Sequence, residues 1–204
     1  MQKQNLKNVI FDLGGVLIDW NPRYLFRKIL SDETEIENFL TTICNDEWNA
    51  KQDAGKHFTE AVEELCQLHP DKDNLIRTYY DRWPETLGGE ISGTVTILSN
   101  LKKKNLNLYA LTNWSKDTFP YAQKQFKFLA DFRDIVVSGV EGIIKPDRKI
   151  YDLLLTRNNI LAHESIFIDD RLTNVQAAEN IGMVGIHFTS PKNLKIALKD
   201  LGVL

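Results

Sequence analysis

Cysteine is scarce in this chain, and no apolar run is long enough to cross a bilayer. Only Cys44 and Cys66 occur in 204 residues, far apart and without C-x-x-C pairing. That excludes a disulfide framework or a thiolate metal cluster and points to reduced thiols in a cytoplasmic protein. No stretch approaches the roughly 20 apolar residues of a transmembrane helix. The opening Met1–Asn8 is polar, without the apolar core of a signal peptide. Positive charge is not in excess either: Lys and Arg number 25 against 28 Asp and Glu, for a net charge of -3. Neither nucleic acid nor an anionic membrane is therefore expected as a partner. Lys102-Lys103-Lys104 closes a predicted helix, where cations suit the negative end of the dipole. His57, His69, His163 and His187 are scattered without ligand spacing. His187 falls inside an apolar run and is expected to be a satisfied core histidine. No repeat, low-complexity tract or apolar signature of assembly is present, so a monomer is the expectation.

What is present is an alternation of short apolar runs and helical segments. Val9-Ile10-Phe11, Leu106–Leu111, Ile135-Val136-Val137, Ile166-Phe167-Ile168 and Met183–Phe188 read as parallel strands buried on both faces. The intervening helices show apolar stripes at Ile91, Val95, Leu98 and Leu101, at Tyr151, Leu154 and Leu155, and at Val175, Ala178 and Ile181. Between the first and second strands a long insertion reads as helix throughout. Its stripes are Ile36, Phe39, Leu40 and Ile43, then Phe58, Val62, Leu65 and Cys66, then Leu75, Tyr79 and Trp83. The class is thus α/β, a doubly wound parallel sheet with an inserted helical cap. The core is expected at 1-18 and 89-204 and the cap at 19-88, with Trp20-Asn21-Pro22 and Gly88-Gly89 as hinge candidates.

Ligands of open parallel sheets sit beyond the carboxyl ends of the strands, and four polar features fall there. Asp12 follows the first strand, Thr112-Asn113 the second and Asp169-Asp170 the fourth, while Lys145 lies in the loop after the third. Any one carboxylate could simply cap a helix, as Asp117 and Asp147 could. Several together would repel one another unless a cation joined them. Mg²⁺ takes hard oxygen ligands from a few carboxylates plus a substrate phosphate. Asp12 and Asp170 would supply carboxylates, with Asp169 as a further ligand or as a partner one step removed. Lys145 would hold Asp12 and the phosphate, and Thr112 and the Asn113 N–H would receive phosphate oxygens. Asp12 could then attack phosphorus to give an aspartyl phosphate.

Phe11-Asp12-Leu13-Gly14-Gly15-Val16-Leu17, Leu111-Thr112-Asn113, Lys145-Pro146-Asp147 and Phe167-Ile168-Asp169-Asp170 resemble the four ordered motifs of the haloacid dehalogenase-like hydrolase superfamily. The resemblance spans essentially the whole chain, cap included. It is nearest to the phosphatase group of α-D-glucose-1-phosphate phosphatases and the N-terminal domain of soluble epoxide hydrolases. It implies the strand order 5-4-1-2-3, Mg²⁺, and a metal contact from the backbone carbonyl of Gly14. It also implies a phosphoric monoester hydrolase acting on a small phosphorylated metabolite, such as a sugar phosphate.

Gly14 departs from the superfamily's D-x-D, whose second Asp is the general acid and base. Such help is typically worth about 10²–10⁴-fold, so either a good leaving group or a proton relayed by a water or a cap residue is needed. Two other readings remain: a 2-haloacid dehalogenase, and an impaired domain that only binds a metabolite. In the insertion, Gln52-Asp53-Ala54-Gly55-Lys56 resembles the superfamily's turn over the site. Asp53 and Lys56 are candidate substrate contacts, unless Asp53 caps the helix beginning near His57. Trp114 would wall the pocket or pack on the core. Asn174 would hold a metal-bound water, orient Asp170 or form a turn.

Overall fold

The computed structural model describes residues 5–204; the first four residues of the polar N-terminal stretch lie outside it. In chain order the elements are β1 (Asn8–Phe11), β2 (Ile18–Trp20), α1 (Arg23–Phe26), α2 (Glu33–Asn38), a π-helical turn (Phe39–Ile43), α3 (Asp46–Asp53), α4 (Phe58–Leu68) and α5 (Asp73–Asp81). They continue with β3 (Leu87–Glu90), α6 (Ser92–Lys103), β4 (Asn107–Thr112), α7 (Phe119–Gln125), β5 (Asp134–Val137), α8 (Ser138–Glu141), α9 (Arg148–Asn158), β6 (Ser165–Asp169), α10 (Leu172–Glu179), β7 (Val184–His187) and α11 (Pro191–Asp200).

Five strands form one parallel sheet in the order β5-β4-β1-β6-β7. Counted along the chain within that sheet, the order is 5-4-1-2-3 read from the other edge, as the motifs implied. The strands are continuous apolar runs because both faces are covered. Val9, Phe11, Leu108, Ala110, Ile166 and Ile168 pack on the side of α6 and α11. Ile10, Tyr109, Leu111 and Phe167 face the opposite way, against Ile150, Tyr151 and Leu154 of α9 and Ala178 of α10. The connections leave β1 in both directions, so the switch point of the sheet lies at its carboxyl end.

The insertion is helical, with two details that the apolar stripes do not convey. β2 and β3 pair antiparallel in a two-stranded ribbon at its root, spanning both expected boundaries. The third stripe turns by one residue: Ile76 and Tyr79 are the buried positions of α5, and Trp83 lies beyond its end. Aromatic contacts hold the helices together, with Trp48 edge-on to both Phe58 and Tyr79 at 5.5 Å.

His187 corrects an expectation. It ends the edge strand β7, where alternation turns its side chain to solvent; the ring is exposed and its Nε2 lies 3.0 Å from the Asp170 carbonyl. Cys44 and Cys66 are free and buried. Among the described residues no helix is long and apolar enough to cross a membrane.

Candidate active site

The carboxyl ends of β1, β4 and β6, with the loop ahead of α9, bring the motif residues together. Lys145 is at their centre. Its ammonium is fully buried, 2.7 Å from Asp169 Oδ2, 3.0 Å from Asp12 Oδ1 and 2.8 Å from the Leu111 carbonyl. Three N–H donors meet three acceptors, so donation to a phosphate oxygen requires one of these bonds to open. Burial works against the charge on Lys145, but the Asp12 and Asp169 carboxylates outweigh it and hold its pKa above the ordinary lysine value. Asn113 fixes the backbone there, its Oδ1 accepting from Lys145 N at 2.8 Å and its Nδ2 donating to Lys145 O at 3.0 Å.

Asp12 accepts from the Leu13 N–H at 2.7 Å, on the same Oδ1 that faces Lys145, which sets the rotation of the carboxylate. Its pKa is raised, first by burial and further by the charges of Asp169 and Asp170, against the pull of Lys145. Asp170 is raised too, by burial and by Asp169. Carboxylate oxygens of Asp12, Asp169 and Asp170 all lie within 4.8 Å of one another. Crowded hard oxygens that strain against ionisation suit a divalent cation such as Mg²⁺. Asp169 itself is saturated within the protein: besides Lys145 it accepts from Arg171 N–H at 2.8 Å and from Asn174 Nδ2 at 3.1 Å on both oxygens. Asp12 and Asp170 are the carboxylates with fewer partners within the protein. Asn174 braces Asp169 and not Asp170.

The two glycines of the first motif differ. Gly15 has φ +73°, and a Cβ there would stand 2.4 Å from Asp170 Oδ2. The glycine is what lets the Asp170 carboxylate settle over the β1 loop. Gly15→Ala is expected to cost at least about 1 kcal/mol of stability, read as a fall in melting temperature. Gly14 is free of both constraints: a Cβ there meets nothing within 4 Å.

A cavity of about 370 Å³ opens over these residues. Its floor includes Asp12, Gly14, Gly15, Asn113, Lys145 and Asp170, and Arg171 adds a cation at the rim. The inserted segment supplies Asp46, Asn49, Ala50 and Asp53 from α3, together with Trp20, Phe58 and Trp83. Trp114 both walls the cavity and packs on the core, 5.7 Å from Trp83 and 5.8 Å from Phe119. Thr112 lies at the end of β4, 1 % exposed and not among the lining residues, its hydroxyl buried without a partner among the described residues. Such an orphan is costly unless a ligand oxygen completes it. Lys56 is not among the lining residues and pairs with Glu64.

Asp53 does not cap the next helix. That task falls to Asp117, ahead of α7, whose Oδ2 accepts from Phe58 N–H at 2.7 Å while Oδ1 lies 3.3 Å from His57 Nδ1. Asp147 does cap α9, accepting from Lys149 N–H at 2.9 Å. Asp46, Asn49 and Arg171 on the cavity wall and the capping role of Asp117 carry no local sequence signal, since what brings them there is distant in the chain.

The sequence profile of the haloacid dehalogenase-like hydrolases matches residues 9–187. The chain belongs to that family. The sesquiterpene phosphatase of Aspergillus oryzae is 28 % identical over 195 residues, 96 % of this chain and 96 % of its own length. The D-ribitol-5-phosphate phosphatase of Bacteroides thetaiotaomicron is 19 % identical over 188 residues, 87 % of this chain and 89 % of that protein. A family enzyme from the same bacterium, crystallised with magnesium and inorganic phosphate, superposes with a TM-score of 0.68 at 18 % identity, over 91 % of this chain and 95 % of that one. At such identity the superposition speaks for the fold.

Proposed function

We propose that this family member is a Mg²⁺-dependent phosphatase of small phosphorylated metabolites that works through an aspartyl phosphate on Asp12. The observation that carries the reading is the buried Asp12 held by Lys145 beside Asp170 at the switch point of the sheet. Two relatives spanning most of the chain, both bearing phosphatase names, support it.

Asp12 and Asp170 would hold the ion, with the Gly14 carbonyl beside them, and the ion when bound supplies charge neutralisation for the phosphoryl oxygens. Lys145 aims Asp12 and favours its ionised form against the burial that raises its pKa. The Asp12 carboxylate attacks phosphorus, the ester P–O bond breaks, and the leaving oxygen takes a proton from an acid of the cavity or its water. Water then attacks phosphorus and returns a proton to that group, the acyl phosphate bond breaks with its electron pair going to Asp12, and phosphate departs. The Thr112 hydroxyl and the Asn113 N–H receive phosphoryl oxygens. The segment 19-88 acts as a cap whose α3 and aromatic residues exclude water and select the leaving group. The flat walls Trp20, Trp83 and Trp114 suit the apolar face of a compact organic group, a sugar ring included. We place the protein in the cytoplasm as a monomer. Displacement of halide from carbon would leave the paired carboxylates without a purpose.

The test compares an aryl phosphate, a sugar 1-phosphate and an alkyl phosphate, each with Mg²⁺ and with chelator. Turnover that needs Mg²⁺ and falls steeply for the alkyl ester is expected. Halide release from 2-chloropropionate that survives chelation would overturn the reading. Because Gly14 has open space before it, Gly14→Asp is expected to fold normally and to raise alkyl phosphate turnover more than aryl, read as the ratio of kcat/KM values.

A further inference from the structure

The first motif lacks an acid at Gly14, and the space that its side chain would fill belongs to the cavity. Departure of an alkoxide still needs a proton at neutral pH. The ionisable groups lining the cavity are Asp12, Asp46, Asp53, Lys145, Asp170 and Arg171. Asp12 and Lys145 form the nucleophile pair, and Asp170 belongs to the cation site. Arg171 keeps its proton in water. Asp46 is 90 % exposed at its side chain and stands 3.8 Å from the Arg171 guanidinium, so it faces water and a cation rather than an enclosed leaving group. Asp53 is what remains. It closes α3 and lines the same cavity as Gly14. Its carboxylate accepts from Asn49 Nδ2 at 3.2 Å and is drawn on by the Ser115 N–H. Among the described residues no basic side chain forms an ion pair with it, and helix capping is done by Asp117.

We propose that Asp53, carried by the inserted segment, is the general acid and base of this site, taking over the task that Gly14 cannot perform. This rests on the phosphatase reading above. In the first half-reaction the O–P bond to Asp12 forms, the P–O bond to the leaving group breaks, and the Asp53 carboxyl proton passes to the departing oxygen, leaving Asp53 ionised. In the second, water attacks phosphorus and gives its proton to the Asp53 carboxylate. The acyl phosphate bond breaks with its electron pair returning to Asp12, and Asp53 regains its acid form.

The surroundings of Asp53 suit both directions of transfer. Burial pushes its pKa to about 7; the positive charges of Arg171 and Lys145 and the Ser115 N–H draw it down, and Asp46 pushes it up. Both forms are populated near neutrality, where a shuttling acid is most effective. Of the other elements against α3, α8 carries Glu141, paired with Arg157 at 2.6 Å, and α4 carries Glu60, Glu63 and Glu64 on its exposed face. A donor on the inserted segment also makes proton delivery depend on that segment resting over the site.

The test is kcat/KM of wild type, Asp53→Asn and Asp53→Asn/Gly14→Asp on an alkyl and an aryl phosphate with Mg²⁺, from pH 5 to 9. Asp53→Asn is expected to lose about 10²-fold or more on the alkyl ester and far less on the aryl ester, whose leaving group needs no proton. Retained aryl kcat/KM, which reports the first half-reaction alone, together with an unchanged melting temperature shows that the variant is folded. The wild-type alkyl profile should fall as pH rises through about 7, because the donor must be protonated. That limb should vanish in Asp53→Asn, and Gly14→Asp should restore part of the alkyl activity. Equal losses on both esters, an unchanged alkaline limb, or no loss would overturn the proposal and leave the phosphatase reading standing. If wild type hydrolyses neither ester, the phosphatase reading itself fails, and this proposal with it.

Discussion

Lys145→Met is expected to destabilise the protein by about 3–5 kcal/mol at neutral pH, the scale set by removing one partner of a buried ion pair. The substitution keeps length and volume but leaves Asp12 and Asp169 facing each other in the interior with no cation between them. For a chain of this size that corresponds to a fall of roughly 6–20 °C in melting temperature. The sign with pH follows from the same charges. Lys145 is held in its charged form by the two carboxylates, so its contribution is fully present while they are ionised. Loss of Lys145 removes what holds the Asp12 pKa down to about 7, so Asp12 of the variant takes up its proton at higher pH than in wild type, and the gap should be widest at alkaline pH and narrow as pH falls towards 7. Lys145→Met/Asp169→Asn should regain part of the loss, because one orphaned charge is gone; a double-mutant cycle of thermal melts reads the coupling. A constant gap at every pH would show that packing, not charge, is what Lys145 provides.

Asp12→Asn has the larger effect on rate and the opposite effect on stability. Loss of a nucleophile that works as part of a unit costs up to about 10⁶-fold in kcat, and at least a loss of about 10³-fold is expected here on every phosphate ester. The fold should not suffer. Asp12 is 8 % exposed and its pKa is raised, mainly by burial. A raised carboxylate pKa means that ionised Asp12 weakens the fold as pH climbs through the folded value, and an amide avoids that cost. Lys145 keeps Asp169 and the Leu111 carbonyl as partners. An inactive variant that melts at or above the wild-type temperature would separate chemistry from folding. A variant that is both inactive and unfolded would instead mean that Asp12 is structural.

Much of this was legible in the residues. The five strands announce themselves because burial on both faces makes each an unbroken apolar run, and strand ends place Asp12, Thr112, Lys145 and Asp170 at one edge of the sheet. The ribbon of β2 and β3 is not legible: Ile18-Asp19-Trp20 is three residues long and Leu87-Gly88-Gly89-Glu90 is half glycine, so neither carries an alternating pattern. Side-chain assignments over long sequence distances escape for a different reason. Asp117 caps a helix 59 residues earlier, and Asn174 serves Asp169 because α10 sets it beneath that residue, not beneath Asp170. Lys56 and Asp53 share one turn with similar local character. Only the packing of α3 distinguishes them, leaving Asp53 on the cavity wall and Lys56 paired with Glu64.

The central claim is that Asp12 receives the phosphoryl group, and a quench experiment reads it directly. The protein is mixed with Mg²⁺ and a phosphate ester labelled at phosphorus, stopped in acid within one turnover, and digested for peptide mapping. The account predicts an acid-stable, base-labile label on the peptide containing Asp12, absent from Asp12→Asn. A label on another residue, or hydrolysis by Asp12→Asn at the wild-type rate, would contradict it.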